Sequence, residues 1–561
     1  VIVKRVVCLL AVAALVAGAC SSSSSSPLAH PAGLKLGGTL TVAVSNDFTY
    51  ADPALVSDAS SMYVANQVVE GLVGLQAGSM STVVPVLAAA LPTVGDAGLT
   101  YTFKLRSGVK FQDGTPFDAA AVKANFERWN SFPKGDLEDA AVYFGTVFGG
   151  FGDASNLASV AAPDGGTVVL TLRHPQSNLL IALANPAFGI QSPDAIAAND
   201  GNDTSLAKNA YALGQGGEGK AMVGTGPFIL SEWVPGDHVK LVRNPDYWGS
   251  TTEPYLDAVV FRLFADGASE LQALQSGAVD MIQSVDPVSL AQITGSAHLR
   301  VLARGQSCEV TQLAMNDADT VNGAANLLAD KNVRLAIASA LNRPAYVAAI
   351  YSGAAAVADN WVPEGSLYYK PENLPGYDIT RSKGYLTQAG LASAKPTVDL
   401  WFPTGGSPAP VPDPKSLATS VANDLQVIGF TVNLKSEAMD KFLADAAAGS
   451  FGMWISTTPC MWASADYFLD TAFFHYVNDA PGPEFGYAND DLNATMAAAL
   501  QATDGGTVKA GWEKAQDLVA ADMPTVPLLN ARPPAASRDY VMGFVAAGSE
   551  VEVLSTVWLD K

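Results

Sequence analysis

Leu99-Thr100-Tyr101-Thr102-Phe103-Lys104-Leu105-Arg106-Ser107-Gly108-Val109-Lys110-Phe111-Gln112-Asp113-Gly114-Thr115-Pro116-Phe117-Asp118 holds a strand, two turns and a helix start in one stretch. Residues 100–105 alternate polar and apolar, the period of a half-buried strand, and Arg106-Ser107-Gly108 ends it in a turn. Asp113-Gly114 forms a second turn that needs positive φ, and Pro116 stiffens the exit. Asp118 stands where an N-cap opens a helix over 119–129. The same alternation appears outward at 39–44, 168–172, 228–230, 239–242, 259–264, 398–402 and 430–434. Residues 168–172 are a candidate partner for 100–105, and Pro235-Gly236-Asp237 joins the strands on either side. Helical spacing of Met62, Ala65, Val69 and Leu72 predicts a helix over 61–70, and 416–428 reads likewise. Residues 199–220, rich in Asn, Gly and Ala, read as a surface excursion. The mixture is α/β.

The 561 residues are enough for two or three domains. With 54 acidic against 32 basic residues the net charge is −22, which argues against a nucleic-acid partner. Hydrophobic residues at 49% exclude an acidic disordered chain, and four cysteines are too few for a disulfide-built scaffold. Lys4 and Arg5 precede an apolar run over 6–17, too short to span a bilayer, and Ala17-Gly18-Ala19 leads to Cys20. Residues 1–19 read as a signal peptide, and 20–36, with the serine run 21–26, as a flexible tether. This predicts an exported protein.

No catalytic constellation emerges. Gly214-Gln215-Gly216-Gly217-Glu218-Gly219-Lys220-Ala221 contains a G-x-G-x-x-G, but Ala221 replaces the hydroxyl that would hold Mg²⁺ and no strand precedes it. His30, His174, His238, His298 and His475 are scattered, without metal-ligand spacing. G-x-S-x-G is absent. The expectation is no enzyme, no metal and no cofactor.

Several blocks, in order, resemble the solute-binding proteins of peptide and nickel ABC transporters, the extracytoplasmic solute-binding family 5. They are Glu70-Gly71-Leu72-Val73 with Val84-Pro85-Val86-Leu87-Ala88, the opening stretch 99–117, Gly224-Thr225-Gly226-Pro227-Phe228, and Arg243-Asn244-Pro245-Asp246-Tyr247-Trp248. Asn332-Val333-Arg334-Leu335-Ala336 through Leu341-Asn342-Arg343 completes them, with Asn342 where the family commonly has Asp. Residues 15–20 are similar to a bacterial lipobox, although the family prefers a larger aliphatic residue than Ala17. That likeness implies lipidation of Cys20. The glycines of 224–226 read as permitting close backbone approach, and Tyr247 and Trp248 as covering apolar surface.

The resemblance implies a two-lobed periplasmic-binding-protein-like fold with an inserted domain. Residues 37–66, 186–307 and 528–561 would form lobe I, 67–185 the extra domain and 308–527 lobe II, with hinge strands near 308–316 and 528. It further implies capture of a peptide-like ligand by lobe closure and delivery to membrane permease subunits. The protein would be extracytoplasmic and monomeric, touching the membrane only through its lipid. Oligosaccharide, haem and nickel remain alternative ligands, and an extracytoplasmic hydrolase or an adhesin an alternative class. Candidate ligand contacts are Ser57, Asp58, Ser60, Ser61, Asn360, Trp361, Trp454, Met461, Trp462 and Asp466; core packing is the competing reading for the three tryptophans. Relatives imply a disulfide between Cys308 and Cys460. They also carry a W-x-x-D-Y pattern whose aspartate pairs with the ligand α-ammonium, and here Met461 occupies that position. Either Asp466 takes over that task or the ligand is held mainly through its backbone, with weak selection for a free amino terminus. Asp466 as a helix cap is the bland alternative.

Overall fold

The computed structural model describes residues 33–250, 252–305, 307–405, 411–477, 480–549 and 552–561, so Cys20 and the tether up to residue 32 lie outside the described residues. Residues 35–561 form one compact unit. Three larger sheets organise it. A seven-stranded sheet runs, edge to edge, Leu299–Leu302, Ala535–Arg538, Met281–Ile282, Thr39–Val44, Ala258–Leu263, His238–Arg243 and Phe228–Val234. A six-stranded sheet runs Ala355–Val357, Val526–Ala531, Val310–Met315, Met453–Thr458, Thr397–Thr404 and Thr431–Ala438. A four-stranded sheet, Thr93–Gly95, Thr100–Lys104, Thr167–Leu172 and Leu157–Asp164, lies wholly within the chain segment between Thr39–Val44 and Phe228–Val234 of the seven-stranded sheet.

The first strand explains why its sheet is sandwiched. Leu40, Val42 and Val44 enter the main apolar core, while Ala43 enters a second cluster with Leu274, Ile282 and Ile293. A strand buried on both faces is the expected state at the centre of a parallel arrangement, and Thr39–Val44 pairs parallel with both Ala258–Leu263 and Met281–Ile282. In the opening stretch, Thr100–Lys104 pairs antiparallel with Thr167–Leu172. The Asp118 carboxylate accepts from the Ala121 amide at 3.0 Å and starts the helix Ala119–Asn130. Gly114 has φ of 85°.

Two blocks that are far apart in sequence form one joint. The Gln112 amide nitrogen donates to the carbonyls of Val68 at 3.1 Å and Phe228 at 2.7 Å, and its backbone N–H reaches the Gly224 carbonyl at 2.9 Å. Gly224 and Gly226 lie so close to the end of the helix Ala59–Val68 that an added Cβ would sit 2.3 Å and 2.7 Å from the Val68 carbonyl oxygen. No side chain fits there. The region 199–220 departs from the expected surface excursion: Asn209, Tyr211 and Ala212 are fully buried. The Tyr211 hydroxyl donates to Gln191 at 2.7 Å and accepts from the Val223 amide at 2.8 Å. Its small-residue composition concealed that anchor.

The chain crosses between the seven- and six-stranded sheets twice, from Leu302 to Val310 and from Ala531 to Ala535. Arg304 sits in the first crossing and ties both. Its guanidinium holds Glu552 through Nε–Oε1 at 2.6 Å and Nη2–Oε2 at 3.0 Å, and donates to the carbonyls of Gln283 and, in the second crossing, Pro533. Both side chains are essentially without solvent exposure. Breaking one side of a buried pair leaves an uncompensated charge, at a cost of about 3–5 kcal/mol. Glu552→Ala should therefore lower the unfolding free energy by about that amount in urea titration; a loss below about 1 kcal/mol would show the pair to be dispensable.

Candidate functional site

Strand direction brings many chain segments to one cavity. The carboxyl ends of Thr39–Val44, Ala258–Leu263 and Met281–Ile282 point the same way, and residues beyond them, Ser45 and Asn46, Ala265 to Gly267 with Glu270, and Gln283 to Pro287, line a single cavity of about 1090 Å³. From the six-stranded sheet come Pro412, beyond Thr397–Thr404, Pro459 to Ala463, beyond Met453–Thr458, and Ala531 and Pro533 at the second crossing. Thr397–Thr404 and Met453–Thr458 are parallel, so their carboxyl ends also open on one edge. A crevice outside the carboxyl ends of strands is where open α/β sheets bind ligands. Glu70, Gly71, Val73 to Met80, Val142, Tyr143 and Ala184 to Pro186 add a third wall.

The sequence candidates divide between wall and interior. Ser57, Ser60, Met461 and Trp462 line the cavity, as do Cys308 and Cys460. Asp58 and Ser61 instead build the start of the helix Ala59–Val68. Asp58 accepts from the Ser61 amide at 2.8 Å and the Thr49 hydroxyl at 2.6 Å, and the Ser61 hydroxyl accepts from the Thr49 amide at 2.9 Å. Asn360, Trp361 and Trp454 lie in the interior rather than on the wall. Asn360 donates to the Lys370 carbonyl at 2.6 Å and to Gln516 at 2.7 Å, and the Trp361 indole donates to Thr525 at 2.7 Å. Trp454 stacks on Phe485 with ring centroids 5.5 Å apart. For these two tryptophans the core role accounts for the residue.

Asp466 is buried behind the wall. It makes no capping bond to the helix Tyr467–Phe474. Its carboxylate receives the Trp462 indole N–H at 2.7 Å together with donors from Asn178 and Ser464. The Trp462 ring on the wall is thus oriented from behind. Burial raises the Asp466 carboxyl above its ordinary range, and the three donors pull it back. Met461 presents its side to the cavity while its carbonyl accepts from Asn185 at 3.1 Å.

Sequence reasoning missed the carboxylates of the wall. Glu70 accepts from Thr225 at 2.7 Å, Tyr247 at 3.0 Å and the Trp248 indole at 2.6 Å. Tyr247 and Trp248 are therefore hydrogen-bond donors as well as apolar cover, and desolvation still pushes Glu70 up to about 7. Glu270, 2% exposed, is also raised to about 7, by desolvation first, then by the neighbouring Asp266 and Asp286 charges. The Glu70-Gly71-Leu72 block was a usable signal for the first. Glu270 carried none, being one acid among 54.

Cys308 and Cys460 form a disulfide with Cα atoms 5.5 Å apart. Val310 pairs with Thr458 in the antiparallel ladder, so the cysteines stand opposite each other two residues beyond its end. Labelling of denatured, unreduced protein should find neither thiol free. Reduction should lower stability by at most about 5 kcal/mol, the chain-entropy figure for so long a loop. Two titratable thiols at these positions would refute the bridge.

Stability should also fall as pH rises from about 5 to 7.5. Glu70, Glu270 and Glu484 are raised to about 7 and Asp470 to about 6, each chiefly by desolvation. The native state therefore holds protons in that window that the unfolded chain, with carboxyls near 4, has already released. His475, lowered by burial, opposes them but is a single group. Urea midpoints at the two pH values check the sign; a higher midpoint at pH 7.5 would contradict it.

Comparison with known proteins places this architecture. Residues 82–480 match the profile of the bacterial extracellular solute-binding proteins, family 5 (middle region). The glutathione-binding protein GsiB of Escherichia coli (strain K12) is 29% identical over 521 residues, covering 90% of this chain and 91% of that protein. The periplasmic binding protein DppA from Helicobacter pylori, solved with the peptide STSA, superposes with a TM-score of 0.73 at 25% identity, covering 94% of this chain and 99% of DppA. HbpA2 from Haemophilus parasuis shares the fold, with a TM-score of 0.77 at 24% identity, over 93% of this chain and all of HbpA2. With its two sheets, double crossing and shared cavity, the chain belongs to the bacterial extracellular solute-binding proteins, family 5.

Proposed function

We propose that the protein is the binding component of an ABC importer, capturing a peptide-like ligand outside the cytoplasm and passing it to membrane permease subunits. The observation that carries this is the cavity of about 1090 Å³ walled by the strand ends of both sheets and by the two crossings. It reaches the upper end of small-ligand sites, and an extended peptide offers enough backbone to fill it. The wall includes Gly71, Gly74, Gly78 and Gly548, where a ligand main chain can approach protein backbone. DppA, similar throughout, was solved with a peptide in place. Lobe I would comprise 37–66, 186–307 and the C-terminal return, lobe II the six-stranded sheet, and 67–185 the inserted domain. The return is better placed after Ala531, because Val526–Ala531 pairs wholly within the six-stranded sheet. Closure would then turn about the two crossings. Anchoring through Cys20 and a monomeric state complete the proposal.

Asp466 is occupied by three donors and Met461 cannot balance an ammonium, so neither of these two residues serves as a dedicated partner for a ligand amino terminus. A thermal-shift screen of short peptides, oligosaccharides, haem and nickel, beside mass spectrometry of ligand released on denaturation, tests the function. Peptides should stabilise the protein by about 2.7 kcal/mol at a hundredfold excess over Kd and be recovered unchanged. Stabilisation by sugar, haem or nickel alone, or recovery of cleaved peptide, would overturn it.

A further inference from the structure

The cavity wall is charged with one sign. Glu70, Asp266, Glu270, Asp286, Glu309 and Glu552 line it, and among the described residues no lysine, arginine or histidine does. These six are not equivalent. Glu552 is neutralised by Arg304, and Glu70 is surrounded by three neutral donors with Arg106 nearby. Glu270 has no such compensation. Its Oε1 accepts from the Ser45 hydroxyl at 3.1 Å, while Oε2 accepts no hydrogen bond among the described residues. The elements packed around it contribute like charge: Asp266 from the start of its own helix, Gly267–Ser276, and Asp286 from the turn after Met281–Ile282. Gly267 makes this approach possible, since a Cβ there would lie 3.0 Å from the Asp286 Cβ. Each aspartate has one oxygen held by a backbone amide, Asp266 by Ser269 at 2.8 Å and Asp286 by Val288 at 3.0 Å.

We infer that the cavity selects a positively charged ligand, a peptide whose protonated amine or guanidinium seats against Glu270 between Asp266 and Asp286. This rests on the reading of the cavity as a peptide site and adds the charge class to it. A buried carboxylate flanked by two others is unfavourable unless a cation joins it or it takes up a proton. In the free protein a proton serves: desolvation first, then the Asp266 and Asp286 charges, raises Glu270 to about 7. A ligand cation replaces that proton, so binding releases it and strengthens as pH rises through 7. Tyr143, Trp462 and Tyr467 also line the cavity, and aromatic rings attract cations. The net charge of −22 steers cations toward the protein.

Isothermal calorimetry with Ala-Lys-Ala, Ala-Ala-Ala and Ala-Glu-Ala, each free and N-acetylated, and with spermidine, tests this on the intact protein. Ala-Lys-Ala should bind at least tenfold tighter than Ala-Ala-Ala, and Ala-Glu-Ala weakest. The lysine preference should persist in the acetylated set, because the unblocked peptides share the α-ammonium and differ only in the side chain; its loss on acetylation would overturn the inference. Affinity for acetylated Ala-Lys-Ala should rise several-fold from pH 5.5 to 7.5, with proton release visible in buffers of different ionisation enthalpy. In Glu270→Gln the lysine preference and the proton release should both collapse, while thermal stability at pH 7.5 is equal or higher because a buried like charge is removed. Equal affinity for the lysine and alanine peptides overturns the inference and leaves the peptide reading standing, as does a preference that survives in Glu270→Gln. Binding of spermidine with no peptide binding supports the cation site and removes the peptide reading. Binding of none of these probes overturns both.

Discussion

The Arg304–Glu552 pair is the interaction on which the two-sheet arrangement hangs. Each sheet can bury its own faces, but the cavity exists only if the two are held at a fixed separation where the chain crosses between them. Arg304 meets that need with one side chain: two bonds to Glu552, one to Gln283 beside the seven-stranded sheet and one to Pro533 in the second crossing. A bidentate guanidinium fixes angles as well as distance, which a lysine would not. The pair also explains how Glu552 can face the cavity without contributing net charge to it. Beside it, Cys308 and Cys460 close the open end of the central antiparallel ladder in the second sheet. A salt bridge on one side and a covalent bond on the other frame the same pair of crossings.

What the sequence made legible was the joints. Alternation at 100–105, the Asp118 cap and the Asp113-Gly114 turn are local chemistry, and local chemistry survives into the fold. The recognisable blocks turn out to touch one another: Gln112 from one reaches Gly224 and Phe228 from another, across the end of the helix Ala59–Val68. What was hidden depends on distant neighbours. Tyr211 lies in a polar, glycine-rich stretch, and only its bonds to Gln191 and Val223 make it an anchor. Trp361 and Trp454 are large aromatics in the right half of the chain, yet both lie in the interior and not on the cavity wall. Residue type distinguishes neither outcome; the side to which the strand or loop turns decides it.

The buried acids show the same dependence on context. Asp466, Glu70 and Glu270 are all carboxylates withdrawn from water, and the first two are provided with neutral donors: three on Asp466, three on Glu70. Such networks fix aromatic rings, since Trp462, Tyr247 and Trp248 each spend a hydrogen-bond donor on a carboxylate. The Asn178 bond to Asp466 further couples the segment carrying the four-stranded sheet to the segment that follows Met453–Thr458 of the six-stranded sheet. These acids are structural fasteners whose charge is dispersed locally.

Glu270 follows a different logic, because its neighbours Asp266 and Asp286 add like charge that disfavours its ionised form. A fastener gains from being satisfied in the free protein, whereas a recognition group gains by being satisfied only when ligand arrives. Satisfying Glu270 internally, with a lysine for instance, would stabilise the empty protein and leave less affinity for the ligand. Leaving it to a proton holds the difference in reserve, because the proton departs when a fixed cation approaches. Desolvation sharpens the effect: as the lobes exclude water, the attraction between a cation and three carboxylates grows, and the repulsion among those carboxylates grows with it when the cavity is empty. Closure is therefore favoured with the cation present and resisted without it. The same arrangement of charge that selects the ligand also couples its presence to the closed form.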